Sequence, residues 1–152
     1  MDDLELYPYC QLKFGGVIGG QYSTATKPLI LVVDDDEDNL LLMAYILEHL
    51  GCSVLTAVDG LSALSVARTH QPDLILLDVL MPQMDGIEAV SQLRKDLTIK
   101  KIPVIAVTAL AIAQDRERLL QAGFNDYVSK PYMLEEIEAT VQRHLRMPAT
   151  IS

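Results

Sequence analysis

An unbroken apolar run, Leu74-Ile-Leu-Leu77, ends abruptly in a carboxylate, Asp78, and turn signals bound it on both sides, Pro72 before and Met81-Pro82 after. A run of this length reads as a strand buried on both faces, which requires a sheet covered by other elements above and below. The acid at its end belongs at the mouth of such a sheet. That rim is where open α/β sheets put their ligands, so Asp78 is the first candidate for chemistry.

The rest of the chain supplies the other layers. Leu29 to Val33 reads as a second buried strand, followed by the acidic run Asp34 to Asp38 and a helix from about Asn39 to Leu50. Asp36 or Asp38 suits its N-cap, acids complement the positive end of its dipole, and Gly51 supplies the stop. Leu40, Met43, Leu47 and Leu50 make its inward stripe. Leu41, Leu42, Tyr45 and Ile46 fall outside that stripe, so this helix is either buried on two sides or offers a sticky face to a partner. A weaker strand spans Ser53 to Ala57, and Asp59-Gly60 opens a helix to about His70 with Leu61, Leu64 and Ala67 inward. After the Asp78 strand, a helix runs from Ile87 to Lys95, with Ile87, Val90 and Leu93 or Arg94 at core spacing. Pro103 introduces the strand Val104 to Val107, which Thr108 closes. A helix from Ala111 to Ala122 stops at Gly123, and Asp126 to Ser129 is a last short strand before Lys130-Pro131. Leu134, Ile137, Val141 and Leu145 set the inward face of a final helix. Five alternations of strand and helix imply right-handed crossovers and a parallel sheet with helices on both faces.

Composition narrows the function classes. The net charge is −9, so no basic stripe exists to neutralise nucleic-acid phosphates and no direct nucleic-acid partner is expected. No apolar stretch approaches the ~20 residues of a membrane span. The acidic amino terminus is not a secretory signal. Cys10 and Cys52 form no framework or metal pattern and read as reduced thiols of a cytoplasmic protein. Residues 1–27 differ from the remainder, with Gly15-Gly16, Gly19-Gly20, Tyr7, Tyr9, Phe14 and Tyr22 in no sustained period. They read as a flexible extension, or else as an arm that docks on the domain or a partner. One domain is expected over 28–147 and a short tail over 148–152. With no output domain after Leu145, the output is expected to be protein–protein, from a monomer or weak dimer.

Parallel strands bring their carboxyl ends to one edge. Asp34 and Asp35 follow the first strand, Asp78 the third, Thr108 the fourth and Lys130 the fifth. Three carboxylates against one ammonium leave a net negative site, and each close like-charge pair costs roughly 1–4 kcal/mol. The site calls for a divalent cation, and carboxylate oxygens suit Mg²⁺ or Mn²⁺ rather than zinc. Asp78 is then a nucleophile that takes up a phosphoryl group, with Lys130 holding a phosphoryl oxygen as a point charge and the Thr108 hydroxyl donating to another. Asp59 and Asp73 read as helix caps, and Asp36, Glu37 and Asp38 as a solvated patch. His49, His70 and His144 are scattered on helix surfaces and are assigned no catalytic or ligand role.

The segment from about Leu29 to Leu145 resembles the receiver domain of two-component response regulators. Four stretches carry the resemblance: Leu31-Val-Val-Asp-Asp35, Leu77-Asp78-Val-Leu-Met-Pro-Gln-Met-Asp-Gly86, Val107-Thr108-Ala109 and Tyr127-Val-Ser-Lys130-Pro131. The resemblance implies a flavodoxin-like, doubly wound five-stranded sheet of order 2-1-3-4-5 with five helices, and a cis Lys130-Pro131 bond. It implies that Asp78 is the phospho-acceptor, and that Asp35, Asp34 through water, Asp78 and the backbone carbonyl of Leu80 hold Mg²⁺. Thr108 and Lys130 would bind the phosphoryl group, with Tyr127 as the aromatic switch. The donor would be a sensor histidine kinase or phosphotransfer protein, and the new charge would bias a protein-binding surface made of the fourth helix, fifth strand and fifth helix. Leu80 and Leu110, two past Asp78 and two past Thr108, cannot orient an attacking water, which leads us to expect slow self-dephosphorylation. No turnover of an external substrate is expected. The alternatives are a receiver-like scaffold that is never phosphorylated, a flavodoxin-like cofactor binder lacking the usual phosphate loop, and an aspartyl phosphatase lacking the second aspartate at Leu80.

Overall fold

Five strands and five helices alternate in the computed structural model, which describes residues 27–79, 85–109 and 113–145, the side chains of 113–115 excepted. In chain order they are β1 (Leu29–Val33), α1 (Glu37–His49), β2 (Ser53–Ala57), α2 (Gly60–His70), β3 (Leu74–Asp78), α3 (Gly86–Lys95), β4 (Val104–Thr108), α4 (Ala113–Ala122), β5 (Asp126–Ser129) and α5 (Leu134–His144). Apart from Lys27, the extension at 1–27 lies outside the described residues, as does the tail at 148–152.

All strand pairs are parallel, and the order is β2-β1-β3-β4-β5. β1, β3 and β4 are central and almost wholly buried, which is what their unbroken Val/Ile/Leu runs require. β2 stands at an edge, and its mixed pattern leaves Ser53 and Thr56 exposed.

The pleat splits the core into two layers. Leu31, Val33, Ile75, Leu77, Val104 and Ala106 face α2, α3 and α4, meeting Leu64, Ala67, Val90, Leu93 and Leu119. Ile30, Val32, Leu74, Leu76, Ile105 and Val107 face α1 and α5, meeting Leu40, Met43, Leu47, Ile137 and Val141.

Local sequence sets the helix ends. Asp36, Asp59 and Asp85 are the N-caps of α1, α2 and α3, accepting from the backbone N–H of Asp38, Ser62 and Glu88 at 2.8, 2.7 and 2.9 Å. Gly51 (φ 94°) and Gly123 (φ 121°) reverse the chain after α1 and α4 in the left-handed region that a side chain disfavours.

Three assignments differ from the sequence reading, two of them inward-facing positions. Leu61 is 64% exposed while Gly60 and Ala63 are buried, because α2 approaches the sheet through its small residues. Leu134, at the first position of α5, is exposed, and Thr140 takes an inward place beside Ile137 and Val141. Asp73 caps no helix; its carboxylate accepts the Leu29 N–H at 2.8 Å and ties the start of β1 to the approach to β3.

Candidate functional site

The sheet register brings the functional ends together. Val33 pairs with Leu77 and Asp78 with Val107, so Asp34 and Asp78 leave adjacent strands at the same level. Thr108 pairs with Ser129, and the Lys130 N–H donates to the Thr108 carbonyl at 2.8 Å, which carries the β4–β5 ladder one step past the strand and sets Lys130 at the rim. The Lys130-Pro131 peptide is cis.

Asp34 is buried and fixed from two directions. Its N–H donates to the Ala57 carbonyl at 3.1 Å, and its Oδ1 accepts the Asp36 N–H at 2.9 Å. Asp78 is also buried, at 6% exposure, while Asp35 is exposed. One carboxylate oxygen from each of Asp34, Asp35 and Asp78 lies within 4.8 Å of the other two. Lys130 Nζ stands 3.4 Å from Asp78 Oδ2 and 3.6 Å from Asp34 Oδ2. Thr108 is fully buried at the end of β4.

Charge sets the character of this rim. Burial works to lower the Lys130 pKa, but Asp78 and Asp34 outweigh it and hold the ammonium above its ordinary value. Burial pushes the Tyr132 hydroxyl up; Lys130 opposes this and Asp34 adds to it, so Tyr132 belongs to the same electrostatic neighbourhood. Ligands of an octahedral ion at ~2.1 Å stand at most ~4.2 Å apart, so small side-chain movements suffice for the three carboxylates to share one cation. An all-oxygen donor set suits Mg²⁺ or Mn²⁺.

Among the residues singled out from the sequence, the structure brings together Asp34, Asp35, Asp78 and Lys130, with Thr108 on the strand between β3 and β5. Tyr127 is half-buried against the core layer under α2, α3 and α4. Leu80 and Leu110 lie outside the described residues. His144 makes a structural contact: its Nε2 lies 2.9 Å from Asp126 Oδ2, which also pairs with Arg143 and joins the end of α5 to the start of β5.

Two residues that support the site were assigned no role from the sequence. Arg94 donates from Nε and Nη2 to the Gly123 carbonyl (3.0 and 2.8 Å), from Nη1 to the carbonyls of Lys100 and Ile102 (2.8 and 2.7 Å) and from Nη2 to Asn125 Oδ1 (2.7 Å). It thereby joins α3 to the segments that enter β4 and β5, and burial lowers its pKa. Gly86 opens α3 directly against the end of β3, with its N–H donating to the Val79 carbonyl at 2.8 Å.

Known proteins resemble this chain in sequence and fold. The polar-differentiation response regulator DivK of Brucella ovis is 39% identical over 116 residues, 76% of this chain and 94% of that protein. The chemotaxis response regulator CheY4 of Vibrio cholerae is 31% identical with a TM-score of 0.75, over 79% of this chain and 100% of that one. The receiver domain of a sensor histidine kinase from Pseudomonas aeruginosa PAO1, described with a magnesium ion coordinated in its active-site cleft, is 36% identical with a TM-score of 0.73, over 80% of this chain and 98% of that one. The family model of the response regulator receiver domain matches residues 30–142, and the chain belongs to that family.

Proposed function

We infer that the chain is a phosphorylation switch whose acceptor is Asp78. The observation that carries this reading is the grouping of three carboxylates within 4.8 Å beside a lysine that contacts two of them. A carboxylate oxygen of Asp78 attacks the phosphorus of a phosphohistidine on a sensor kinase or phosphotransfer protein. The P–N bond breaks, the imidazole leaves, and an acyl phosphate forms on Asp78. Lys130 turns from the Asp78 carboxylate to a phosphoryl oxygen, and the Thr108 hydroxyl donates to another. Asp34, Asp35, Asp78 and the Leu80 carbonyl would hold Mg²⁺ or Mn²⁺, which when bound neutralises the carboxylates and the charge on the transferring group.

The new charge draws Thr108 toward the rim, and Tyr127 follows it inward. That rearrangement biases the surface of α4, β5 and α5 toward a downstream protein target. The protein is read as a regulator without turnover of an external substrate, acting in the cytoplasm; no helix among the described residues is long and apolar enough to cross a membrane.

Incubation with a small phosphodonor and Mg²⁺, followed by intact-mass measurement, tests the reading. The wild type is expected to gain one phosphate and an Asp78→Asn variant none. Equal labelling of both, or of neither, would reject Asp78 as the acceptor.

A further inference from the structure

The end of β3 is held from two sides. Val79 continues past the strand, its N–H donating to the Val107 carbonyl at 3.3 Å while its own carbonyl accepts the Gly86 N–H at 2.8 Å. Gly86 is the first residue of α3, where four backbone donors lack partners within the helix. One of those donors thus ties the start of α3 to the residue that follows Asp78.

This brace leaves no room for a side chain. A Cβ on Gly86 would stand 2.7 Å from the Asp78 carbonyl oxygen, 2.7 Å from Val79 Cα and 3.3 Å from the Asp78 carbonyl carbon. All three are main-chain atoms, so no flexible side chain can yield. Either α3 lifts from the sheet or the Asp78–Val79 peptide moves. Asp78 has little latitude, because its carboxylate must meet Asp34, Asp35 and Lys130 from the last position of its strand.

We propose that Gly86 is a positioning residue for phosphoryl acceptance: its bare Cα lets the first turn of α3 abut the Asp78–Val79 peptide and aims the Asp78 carboxylate into the acidic cluster. The role rests on the reading of Asp78 as acceptor and adds a requirement that acceptance depends on the absence of a side chain eight residues further on.

Asp85→Ala is the matched control, since it removes the N-cap of the same helix turn without adding an atom near Asp78. At a temperature where both variants stay folded, Gly86→Ala is expected to take up phosphate from a small donor at least tenfold more slowly than the wild type. Its Mn²⁺ affinity, read by calorimetry, is expected to fall at least fivefold. Asp85→Ala is expected to lose thermal stability yet keep both values within twofold of the wild type. Wild-type behaviour from Gly86→Ala, or equal losses in the two variants, would overturn the role. In the wild-type protein the Gly86 amide is expected to exchange with solvent more slowly once Mn²⁺ binds. Unchanged exchange would count against the coupling even if Gly86→Ala fails to fold. Failure of the wild type itself to label would instead remove the acceptor reading.

Discussion

Lys130 Nζ lies 3.4 Å from a carboxylate oxygen of Asp78, although Asp78 ends β3, Lys130 follows β5 and β4 lies between those strands. In the metal-free protein this ammonium is the counter-charge of the rim. Lys130→Met should leave the three carboxylates less compensated, and Mn²⁺ should bind tighter. Removing one unit charge from a half-exposed site a few ångströms away is worth about 1 kcal/mol, or roughly fivefold in affinity. Phosphate uptake should fall in the same variant. Calorimetric titration checks the first half, and weaker Mn²⁺ binding would contradict it.

The same contact sets an alkaline limit. Lys130 and Tyr132 both hold their protons more tightly folded than at their ordinary values of 10.5 and 10.0. Their contribution is complete below those values and is lost as pH rises through the folded ones. Thermal unfolding of the metal-free protein should show falling stability above about pH 10, with a shallower fall in Lys130→Met. Identical slopes would refute the assignment to Lys130.

On the acid side the sign reverses. Hydrogen bonds from Arg68 and Thr98 hold the Asp96 carboxyl at about 2, below its ordinary 3.8. The unfolded chain therefore takes up its proton first as pH falls, and the stability Asp96 contributes near neutrality drains away between those values. Arg68→Ala, which removes the 2.5 Å contact from Arg68 Nε, should flatten the loss between pH 4 and pH 2. A wild-type slope in that variant would show that other groups set the acid limb.

Arg94 satisfies three carbonyls and the Asn125 side chain with one guanidinium. A lysine keeps the charge but not the fork, so Arg94→Lys should strand several acceptors. Each stranded acceptor costs about 1–3 kcal/mol if it stays dry, and a loss of about 2–4 kcal/mol in urea unfolding is expected. A loss below about 0.5 kcal/mol would mean that water replaces the fork freely.

The outer side of α1 presents Leu41, Leu42 and Tyr45 at 69%, 50% and 66% exposure, an apolar face that the fold leaves uncovered among the described residues. It is our candidate for docking the phosphodonor protein. Leu42→Asp should slow phosphotransfer from a kinase or phosphotransfer domain at least fivefold and leave labelling by a small donor unchanged. A drop in both would point to damage at the rim instead.

What could be read from the residues alone depended on how local the signal was. Strand ends such as Asp78 and Thr108 are legible because an apolar run and the polar residue that ends it are neighbours in sequence. The two-sided apolar character of α1 was legible for the same reason, and Leu41, Leu42 and Tyr45 do face outward. The inward face of α2 was legible at Leu64 and Ala67 but not at Leu61. Leu61 is the larger apolar residue, but contact with the sheet selects the small Gly60 and Ala63, and size alone does not reveal which way a helix turns. Asp73 and Arg94 were opaque because their partners lie far along the chain, at Leu29 for one and at Gly123 and Asn125 for the other. Gly86 stood within a recognised motif, yet nothing in the string of letters says that the atom it lacks would fall on the carbonyl of Asp78.

The sheet order has one further effect. β1 and β3 are neighbours, but the helices that leave them depart to opposite faces, α1 to one core layer and α3 to the other. Asp34 and Asp78 thus stand across a cleft that the winding of the chain opens, held at its depth by a ladder of main-chain hydrogen bonds. Repulsion between them cannot be relieved by parting the strands without tearing that ladder. The charge that Lys130 leaves unmatched stays in the resting molecule, open to whatever further cation arrives.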